Sequence, residues 1–455
     1  MRTAADVVSE ARRRGIKVVK FVYVGLDGVL RAKASYIDSL QDHLEEGIGL
    51  TMAMQSFTPL DTLLASPRFG PEAEDVYLVP DPETFAPIPH APGIGRVICD
   101  LKLRDGGDWS FCTRTLLRRL ARSWEGELGL RFLVSAETEF YVLKRSAAES
   151  VEPIDWERCF STLGYETLGE VAQEILEGLR AAGIRLIRLI KEYGPGQLEI
   201  NMGHTEPVRA ADNLVVLRDT ARGVAARRGL TATFIPKPFD WHAGSGMHFH
   251  ISAVSAEDGG PAFYDPRDPR GLGLSEAAYS FIAGILKHLK ALSAIVAPTI
   301  NSYKRLIPGS WAPSAICYGY NNRSAAIRVP TTRTGSEAKA KRIEFRVPDA
   351  TANPYLALAA TLAAGVDGIR RGLDPGDPVN VDAYKLSPDE MERRGVDFLP
   401  RSLREALRYL EADEYLKEVL GRELVEEFIK IKLAECEAYD RYVTPWEIRN
   451  YVPVF

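Results

Sequence analysis

Four short segments of this chain alternate charged or polar residues with apolar ones, the pattern of a β-strand. They read SAETEF, GQLEIN, GMHFHIS and RIEFRVP. Because successive side chains of a strand point to opposite faces, each segment directs its charged groups one way and its apolar groups the other. If the four strands share a sheet, one face collects carboxylates, imidazoles and guanidiniums. Crowded carboxylates repel unless cations intervene, so the pattern predicts a site for divalent metals and phosphate.

The ordinary alternative is the solvated face of an amphipathic sheet, which would suit any one of these strands alone. Solvated faces usually mix Lys, Thr and Ser, whereas these four segments carry Glu, His and Arg. We therefore favour the functional interpretation for the set of four.

The composition of the chain argues against several classes of protein. The chain has 455 residues, 45% of them hydrophobic and 26% charged, which is typical of a globular protein. Its net charge of −5 argues against general nucleic-acid binding. The five cysteines are scattered without CxxC spacing, so they predict neither a zinc knuckle nor a disulfide framework. The longest apolar stretch, YLALAATLAAGV, is too short to span a bilayer, so we expect a cytoplasmic protein without a membrane partner.

The predicted elements fall into two domains of an α+β fold. Residues 1–102 predict a small domain with a β-hairpin around the turn Leu26–Asp27–Gly28. From there to residue 455, strands alternate with long amphipathic helices, which suggests an antiparallel sheet backed by helices. Periodic apolar residues predict helices near 112–127, 165–182, 209–228, 275–297, 354–371 and 402–440.

Longer motifs around the four strands resemble the glutamine synthetase family over nearly the whole chain. In order, they are AETEF, KEYGPGQLEIN, GSGMHFH, NSYKRLIPG, NNRSAAIRVP, KRIEFRVPD and ANPYLALAA. The resemblance implies an N-terminal β-grasp domain, 1–102, and a glutamine synthetase-type catalytic domain, 103–455. It also implies a homo-dodecamer of two stacked rings, with each active site between neighbouring subunits.

The family converts a carboxylic acid to an acyl phosphate with ATP and lets an amine displace the phosphate. No protein nucleophile is required, because the protein positions reactants and neutralises charge with two or three Mg²⁺ or Mn²⁺ ions. The resemblance assigns two sets of metal ligands: Glu139, Glu192 and Glu199 for one ion, and Glu137, His248 and Glu344 for another. Oxygen ligands with a single imidazole favour Mg²⁺ or Mn²⁺ over zinc.

Arginines suit phosphate and carboxylate recognition because a planar guanidinium binds two oxygens at once. The resemblance assigns the nucleotide contacts to His250, Ser252, Arg328, Lys339 and Arg342. It assigns the amino-acid substrate to Gly244, Arg305, Arg323, Arg346 and Trp311, and catalytic roles to Arg305, Arg323 and Arg342. For Arg328 and Lys339, the ordinary alternative is an ion pair with a surface glutamate.

The chain departs from the family where ammonium binds. Glutamine synthetases read PGYEAP in a flap after the NSYKR motif, whereas this chain reads PGSWAP, with Trp311 at the glutamate position. A family aspartate in the N-terminal hairpin corresponds to Gly25, or to Asp27 if the alignment slips. Ala243 replaces a substrate-contacting asparagine. The two missing carboxylates are the groups that attract ammonium and remove its proton.

These losses favour an organic amine over ammonia. A pocket without carboxylates offers little to offset the desolvation of ammonium, whereas an indole presents an apolar, π-rich wall. We therefore expect an ATP-dependent ligase that joins the glutamate γ-carboxylate to an organic primary amine. The alternatives are a true glutamine synthetase with an unusual flap, or with a base such as His242, and an inactive structural homologue.

Tyr384 aligns with a tyrosine that some bacterial members adenylylate, but its flanks differ, so we expect an ordinary loop residue.

Overall fold

The computed structural model describes residues 2–145 and 151–455. Its first part is a five-stranded sheet with two helices, α1 (Ala4–Arg13) and α2 (Leu40–Glu46). The strands are β1 (Val18–Val24), β2 (Leu30–Tyr36), β3 (Ile48–Thr51), β4 (Asp75–Pro87) and β5 (Ile94–Lys102). Their order is β2-β1-β5-β4-β3, with β1 and β5 parallel and the other pairs antiparallel. This agrees with the expected β-grasp domain.

The predicted hairpin between β1 and β2 is confirmed. Val24 pairs with Leu30, and the N–H of Gly28 donates to the carbonyl of Gly25 at 2.9 Å. Gly28 has φ 90°, a left-handed conformation that glycine adopts without steric cost.

The second part is a ten-stranded sheet in the order β15-β12-β13-β14-β11-β6-β9-β8, with β7 and β10 also paired to β6. Every pair is antiparallel except β12 and β13, so the predicted antiparallel sheet is confirmed with one parallel pair. The strands are β6 (Leu130–Arg145), β7 (Val151–Pro153), β8 (Leu186–Lys191), β9 (Gln197–Met202), β10 (Leu230–Thr233), β11 (Met247–Ser255), β12 (Ala315–Tyr320), β13 (Ala325–Val329), β14 (Ile343–Phe345) and β15 (Asp397–Phe398).

Thirteen further helices lie in the described part of this larger unit. They are α3 (Thr113–Leu128), α4 (Thr162–Thr167), α5 (Gly169–Ala181), α6 (Pro207–Arg227), α7 (Glu276–Val296), α8 (Ser302–Arg305), α9 (Glu337–Ala340), α10 (Pro354–Arg371), α11 (Pro388–Arg394), α12 (Leu403–Ala412), α13 (Glu414–Leu420), α14 (Arg422–Asp440) and α15 (Pro445–Tyr451). Short 3₁₀ helices span Ile37–Ser39, Met52–Ser56 and Ala383–Lys385.

The prediction of one continuous helix over 402–440 is wrong, because the segment forms three helices. Asp413 caps α13 by accepting a hydrogen bond from the backbone N–H of Leu416 at 3.0 Å. Gly421, with φ 100°, separates α13 from α14. An N-terminal side-chain cap begins a new helix, and a glycine with positive φ ends one, even where the apolar periodicity continues.

Most residues of helix α7 are buried in the core of the protein. By length and composition it could cross a membrane, but 78% of its most apolar window is buried inside the fold. It packs against α10 so closely that a Cβ on Gly284 would lie 2.1 Å from the carbonyl oxygen of Ala364. The apolar character of α7 therefore reflects its place in the core.

Candidate active site

Four neighbouring strands, β14, β11, β6 and β9, bring the alternating segments together in the large sheet. Directly opposite residues of antiparallel strands share a face, as do residues two apart in one strand. The opposite pairs are His248 with Glu137, His250 with Glu344, and Glu139 with Glu199. All six side chains therefore lie on one face, as the alternation predicted.

Three glutamates line one side of a cavity of about 460 Å³ on this face. Glu139 and Glu199 come from the strands, and Glu192 comes from the turn after β8. Burial, and then the charge of Glu192, raise the pKa of Glu139 to about 8. Burial, and then the surrounding glutamates, raise the pKa of Glu199 to about 10. Carboxylates that cannot all ionise together fit a site that a divalent cation would complete.

Glu137, Glu344 and two histidines form the other side of the same acidic face. His248 Nδ1 lies 3.6 Å from Glu137 Oε2 and 3.4 Å from Glu344 Oε1, and His250 Nε2 lies 2.9 Å from Glu137 Oε1. Potential ligand atoms of Glu137, His250 and Glu344 all lie within 4.8 Å of one another. Among the described residues, neither of these two ring nitrogens has a partner in hydrogen-bonding geometry.

The ionisation of these groups also fits a metal ligand set. Burial, and then the charge of Arg346, lower the pKa of His248 to about 4, which keeps its imidazole neutral. Burial alone would raise the pKa of Glu137, but the adjacent His248 and His250 outweigh it and lower that pKa. Neutral imidazole and ionised carboxylate are the forms that bind cations. His248 is therefore a candidate ligand, and the distance of His250 to Glu137 and Glu344 makes it a second one, although the resemblance placed His250 beside the nucleotide.

Glu344 is fully buried and bonded to two arginines. Arg328 donates through Nε and Arg346 through Nη1, one to each carboxylate oxygen. Burial opposes ionisation here, but Arg346, followed by the nearby histidines and Arg328, lowers the pKa of Glu344 to about 2. Arg328 thus pairs with a buried glutamate of the acidic face and not with a surface one.

The arginines assigned to the amino-acid substrate lie around the same cavity. Arg305 is buried and donates to the carbonyls of Val347 and Arg346, each at 2.8 Å. A Cβ on Gly244 would lie 2.7 Å from the carbonyl oxygen of Pro236 and 2.9 Å from Arg305 Cγ. Only glycine fits that position without displacing the arginine.

A second cavity, of about 520 Å³, adjoins the first. The two share the lining residues Glu137, Arg188, Arg323 and Arg328. The second also contains His250 and Arg342, whose Nε donates to His250 Nδ1 at 3.0 Å. Converging guanidiniums beside an acidic site suit the phosphates of a nucleotide.

Two residues predicted to contact the nucleotide are not part of the lining of the two cavities. Ser252 lies farther along β11, opposite Leu133, and Lys339 is exposed on α9. Neither lines the first or the second cavity, so their contact with the nucleotide stays a prediction.

The segment after α8, residues 306–314, is called the flap below. Trp311 lines the first cavity from the flap with its side chain 67% exposed, and its ring stacks on Tyr193 with centroids 6.3 Å apart. Its φ of 61° is unusual for a residue with a side chain. Arg346 Nη2 donates to the Trp311 carbonyl at 3.2 Å. The exposed ring of Phe160 also lines this cavity, which gives it aromatic walls at the flap.

The N-terminal hairpin has no unpaired carboxylate at Gly25 or Asp27, the two positions that align with the family aspartate. Asp27 is only 4% exposed and accepts hydrogen bonds from Arg31 at 2.8 and 2.9 Å. A Cβ on Gly25 would lie 2.3 Å from Asp27 Oδ1. His242, the alternative base, is not among the residues that line the described cavities, whereas its neighbour Ala243 is.

Gln197 is a functional candidate that sequence reasoning left without a role. Its Nε2 donates to Glu139 Oε2 at 3.2 Å and to the Gly244 carbonyl at 3.0 Å, so it orients a candidate ligand. The sequence signal for Gln197 was its position two residues before Glu199, because residues two apart in a strand share a face. Arg188 was also missed because it lies outside the motifs quoted above, and Tyr193 was missed although it belongs to KEYGPGQLEIN.

The fold and the donor set are those of an α+β protein with a candidate site for divalent cations. A family model for the glutamine synthetase N-terminal domain matches residues 3–109, and one for the glutamine synthetase catalytic domain matches residues 110–451. The chain therefore belongs to the glutamine synthetase family, and it is a ligase of that family. Enzymes of this family use ATP and divalent metals and act on small molecules.

Similar proteins include enzymes with different acceptors. A glutamine synthetase of Methanocaldococcus jannaschii is 35% identical over 98% of this chain and 97% of its own length. A glutamate–methylamine ligase of Methyloversatilis universalis is 36% identical over 84% of this chain and 85% of its own. Among solved structures, a GmaS/ADP complex superposes with a TM-score of 0.84 at 32% identity, covering 98% of this chain and 99% of the other.

Proposed function

We propose that this protein uses ATP to activate the γ-carboxylate of glutamate as γ-glutamyl phosphate and transfers the acyl group to an organic primary amine. The observation that carries the proposal is the indole of Trp311 on the cavity wall, stacked on Tyr193, where glutamine synthetases have a carboxylate. An apolar, π-rich wall attracts the body of an organic amine and does little to offset the desolvation of ammonium.

In this proposal the acidic face holds two or three Mg²⁺ or Mn²⁺ ions. One set of ligands is Glu139, Glu192 and Glu199, and another is Glu137, Glu344 and a histidine, His248 or His250. When bound, such ions neutralise phosphate charge and orient phosphate oxygens. The burial and crowding of the glutamates support this assignment, as do the nearby ring nitrogens of His248 and His250, which lie within 3.6 Å of carboxylate oxygens without hydrogen-bonding geometry.

The remaining residues position the reactants. Arg328 and Arg342, at the second cavity, would bind the phosphates of ATP, and Arg305 and Arg346 would bind the carboxylates of glutamate. Arg323 lines both cavities and would face the phosphoryl group in transfer. Ser252 and Lys339 are also proposed to contact the nucleotide, on the resemblance to the family alone.

The reaction has two steps. A γ-carboxylate oxygen of glutamate attacks the γ-phosphorus of ATP, and the bond from that phosphorus to ADP breaks. The amine nitrogen then attacks the acyl carbon, and the carbon–oxygen bond to phosphate breaks. The products are the γ-glutamyl amide, ADP and phosphate, and the proton lost by nitrogen passes to phosphate or water. The arginines act by orientation and charge stabilisation in both steps.

A second candidate is a true glutamine synthetase with an unusual flap. It is favoured by Glu192, whose carboxylate lines the cavity and could still attract ammonium, and by the many relatives named glutamine synthetase. An inactive homologue is a weaker candidate, because a scaffold gains nothing from glutamates whose pKa values are raised by crowding.

Phosphate release with ATP, Mg²⁺ and glutamate, measured against a panel of amines that includes ammonia, tests the proposal. We expect at least one organic amine to exceed ammonia in kcat/KM. A preference for ammonia over every amine would favour the second candidate, and no turnover with any acceptor would favour the third.

The homo-dodecamer, the cytoplasmic location and the domain boundary between residues 102 and 103 remain predictions. Native mass spectrometry would test the first, because twelve chains of 50.4 kDa give an easily distinguished mass.

A further inference from the structure

Two consecutive carbonyls of the flap accept hydrogen bonds from side chains outside it. Arg346 Nη2 donates to the Trp311 carbonyl at 3.2 Å, and the hydroxyl of Tyr384 donates to the Ala312 carbonyl. Arg346 also bonds Glu344, so it belongs to the acidic face described above. Within residues 2–145 and 151–455, the Tyr384 hydroxyl donates only to the flap, so it is a feature separate from the acidic face.

The loop that carries Tyr384 is itself firmly held. Asp382 caps the short 3₁₀ helix Ala383–Lys385 by accepting from the backbone N–H of Tyr384 at 3.2 Å. The N–H of Ala383 donates to Ser324 Oγ at 2.9 Å. Asn322 Nδ2 donates to the carbonyls of Val379 and Val381 at 2.7 and 2.8 Å. The loop is thus fixed to the connection between β12 and β13, and its tyrosine can hold the flap from a stable base.

The flap needs such support at Trp311. A non-glycine residue with φ 61° occupies a sparsely populated conformation, which persists only where the surroundings hold it. Ser310 ties the start of the flap, since its hydroxyl lies 2.9 Å from the Arg305 carbonyl. Beyond Trp311, the Tyr384 bond to Ala312 is the next side-chain contact that the described structure gives the flap.

We propose that Tyr384 is a positioning residue that holds the flap against the amine cavity, so that the acyl phosphate passes to amine and not to water. The inference rests on the proposed function for the identity of the acceptor. In transfer, the amine nitrogen replaces the phosphate oxygen at the acyl carbon, giving amide and phosphate. In the competing hydrolysis, water replaces it, giving glutamate and phosphate. A flap released from Tyr384 admits water and favours the second outcome.

The test compares phosphate released with amide formed in wild type and in Tyr384→Phe, which removes only the hydroxyl. The acceptors are the best amine of the panel and hydroxylamine, a small general nucleophile. Tyr415→Phe is the matched control, because its hydroxyl donates to the Ala363 carbonyl at 3.0 Å, away from the cavities. We expect wild type and control to release about one phosphate per amide. A lost neutral hydrogen bond is worth roughly a fivefold change, so Tyr384→Phe should raise hydrolysis relative to transfer by about that factor.

The same variant should show a higher KM for the amine with an unchanged thermal shift by Mg²⁺ and ADP, since the hydroxyl does not reach the acidic face. A ratio near one in Tyr384→Phe would overturn the inference, and so would an equal rise in both tyrosine variants. Hydroxylamine separates this result from the proposed function. If no organic amine is used but the hydroxamate ratio changes as expected, Tyr384 retains its role and the amine assignment fails.

Discussion

Glu139 and Glu199 lie directly opposite each other across the ladder between β6 and β9, on the face of the sheet that lines the first cavity. Opposite residues of an antiparallel pair have Cβ atoms about 5 Å apart, so two ionised carboxylates here repel strongly. Burial, and then Glu192, raise the pKa of Glu139 to about 8, while burial, and then Glu137 and Glu139, raise the pKa of Glu199 to about 10. A cation bound between them would offset this repulsion. The free energy of unfolding should therefore depend on pH and on Mg²⁺.

The metal-free protein should lose stability as the pH rises from about 6 to about 9. Unfolded glutamates lose their protons near pH 4.5, whereas folded Glu139 and Glu199 keep theirs to about 8 and about 10. The unfolded state therefore binds fewer protons in this window, and the free energy of unfolding falls with pH. Glu137 and Glu344, with lowered pKa values, lose their contribution only at acid pH.

Thermal denaturation in EDTA across this window measures that slope. Glu199→Gln should flatten it, and Mg²⁺ at about one hundred times its Kd should add about 2.7 kcal/mol. A wild-type slope that equals the Glu199→Gln slope would show that Glu199 ionises normally.

Glu344→Gln should reduce ATP turnover at least about 100-fold while the protein remains folded. The change removes a candidate ligand charge but leaves an amide oxygen near Arg328 and Arg346, which limits the cost of unpaired guanidiniums. Steady-state turnover and circular dichroism are the measurements. Glu174→Gln, at a glutamate paired with Arg228 outside the cavities, is the control and should keep full activity. Near-normal turnover in Glu344→Gln would exclude this residue from the metal site.

Trp311→Glu should raise kcat/KM for ammonia and lower it for the preferred amine. The new carboxylate offsets ammonium desolvation and can assist deprotonation, an effect typically worth about 10²–10⁴-fold in rate. Trp156→Glu is the control, because that indole is also exposed but stacks on Trp241 and does not line the cavity. Unchanged specificity in Trp311→Glu, or the same shift in both variants, would contradict the role given to the flap.

Gln197→Ala should weaken Mg²⁺ activation by about 10–100-fold, the usual effect of losing a group that orients a metal ligand. Its Nε2 supports Glu139 Oε2 at 3.2 Å, and no charge is removed by the change. The measurement is the Mg²⁺ concentration that gives half-maximal turnover. The control is Gln41→Ala in α2, because the Gln41 side chain hydrogen-bonds Glu45 at the surface. An unchanged Mg²⁺ requirement would mean that Glu139 is held well enough without it.

Much of the site could be predicted from the sequence because a strand has a fixed period of two. Once Glu137, Glu139, His248 and Glu344 alternate with apolar residues, burial of the apolar face sends their side chains to the other side. The longer motifs then indicated the family and its two-domain fold. The substitution at Trp311 was also visible, because it interrupts a motif whose neighbours are intact.

Other properties depended on tertiary structure, because they arise between residues distant in the chain. Strand order and register decided that Glu139 faces Glu199, and depth of burial decided their ionisation. The turn after β8 brought Glu192 to them without any periodic signal. The contact of Tyr384 with the flap joins loops about seventy residues apart, which no local pattern encodes. Local periodicity fixes which way a side chain points, whereas only packing fixes what it meets.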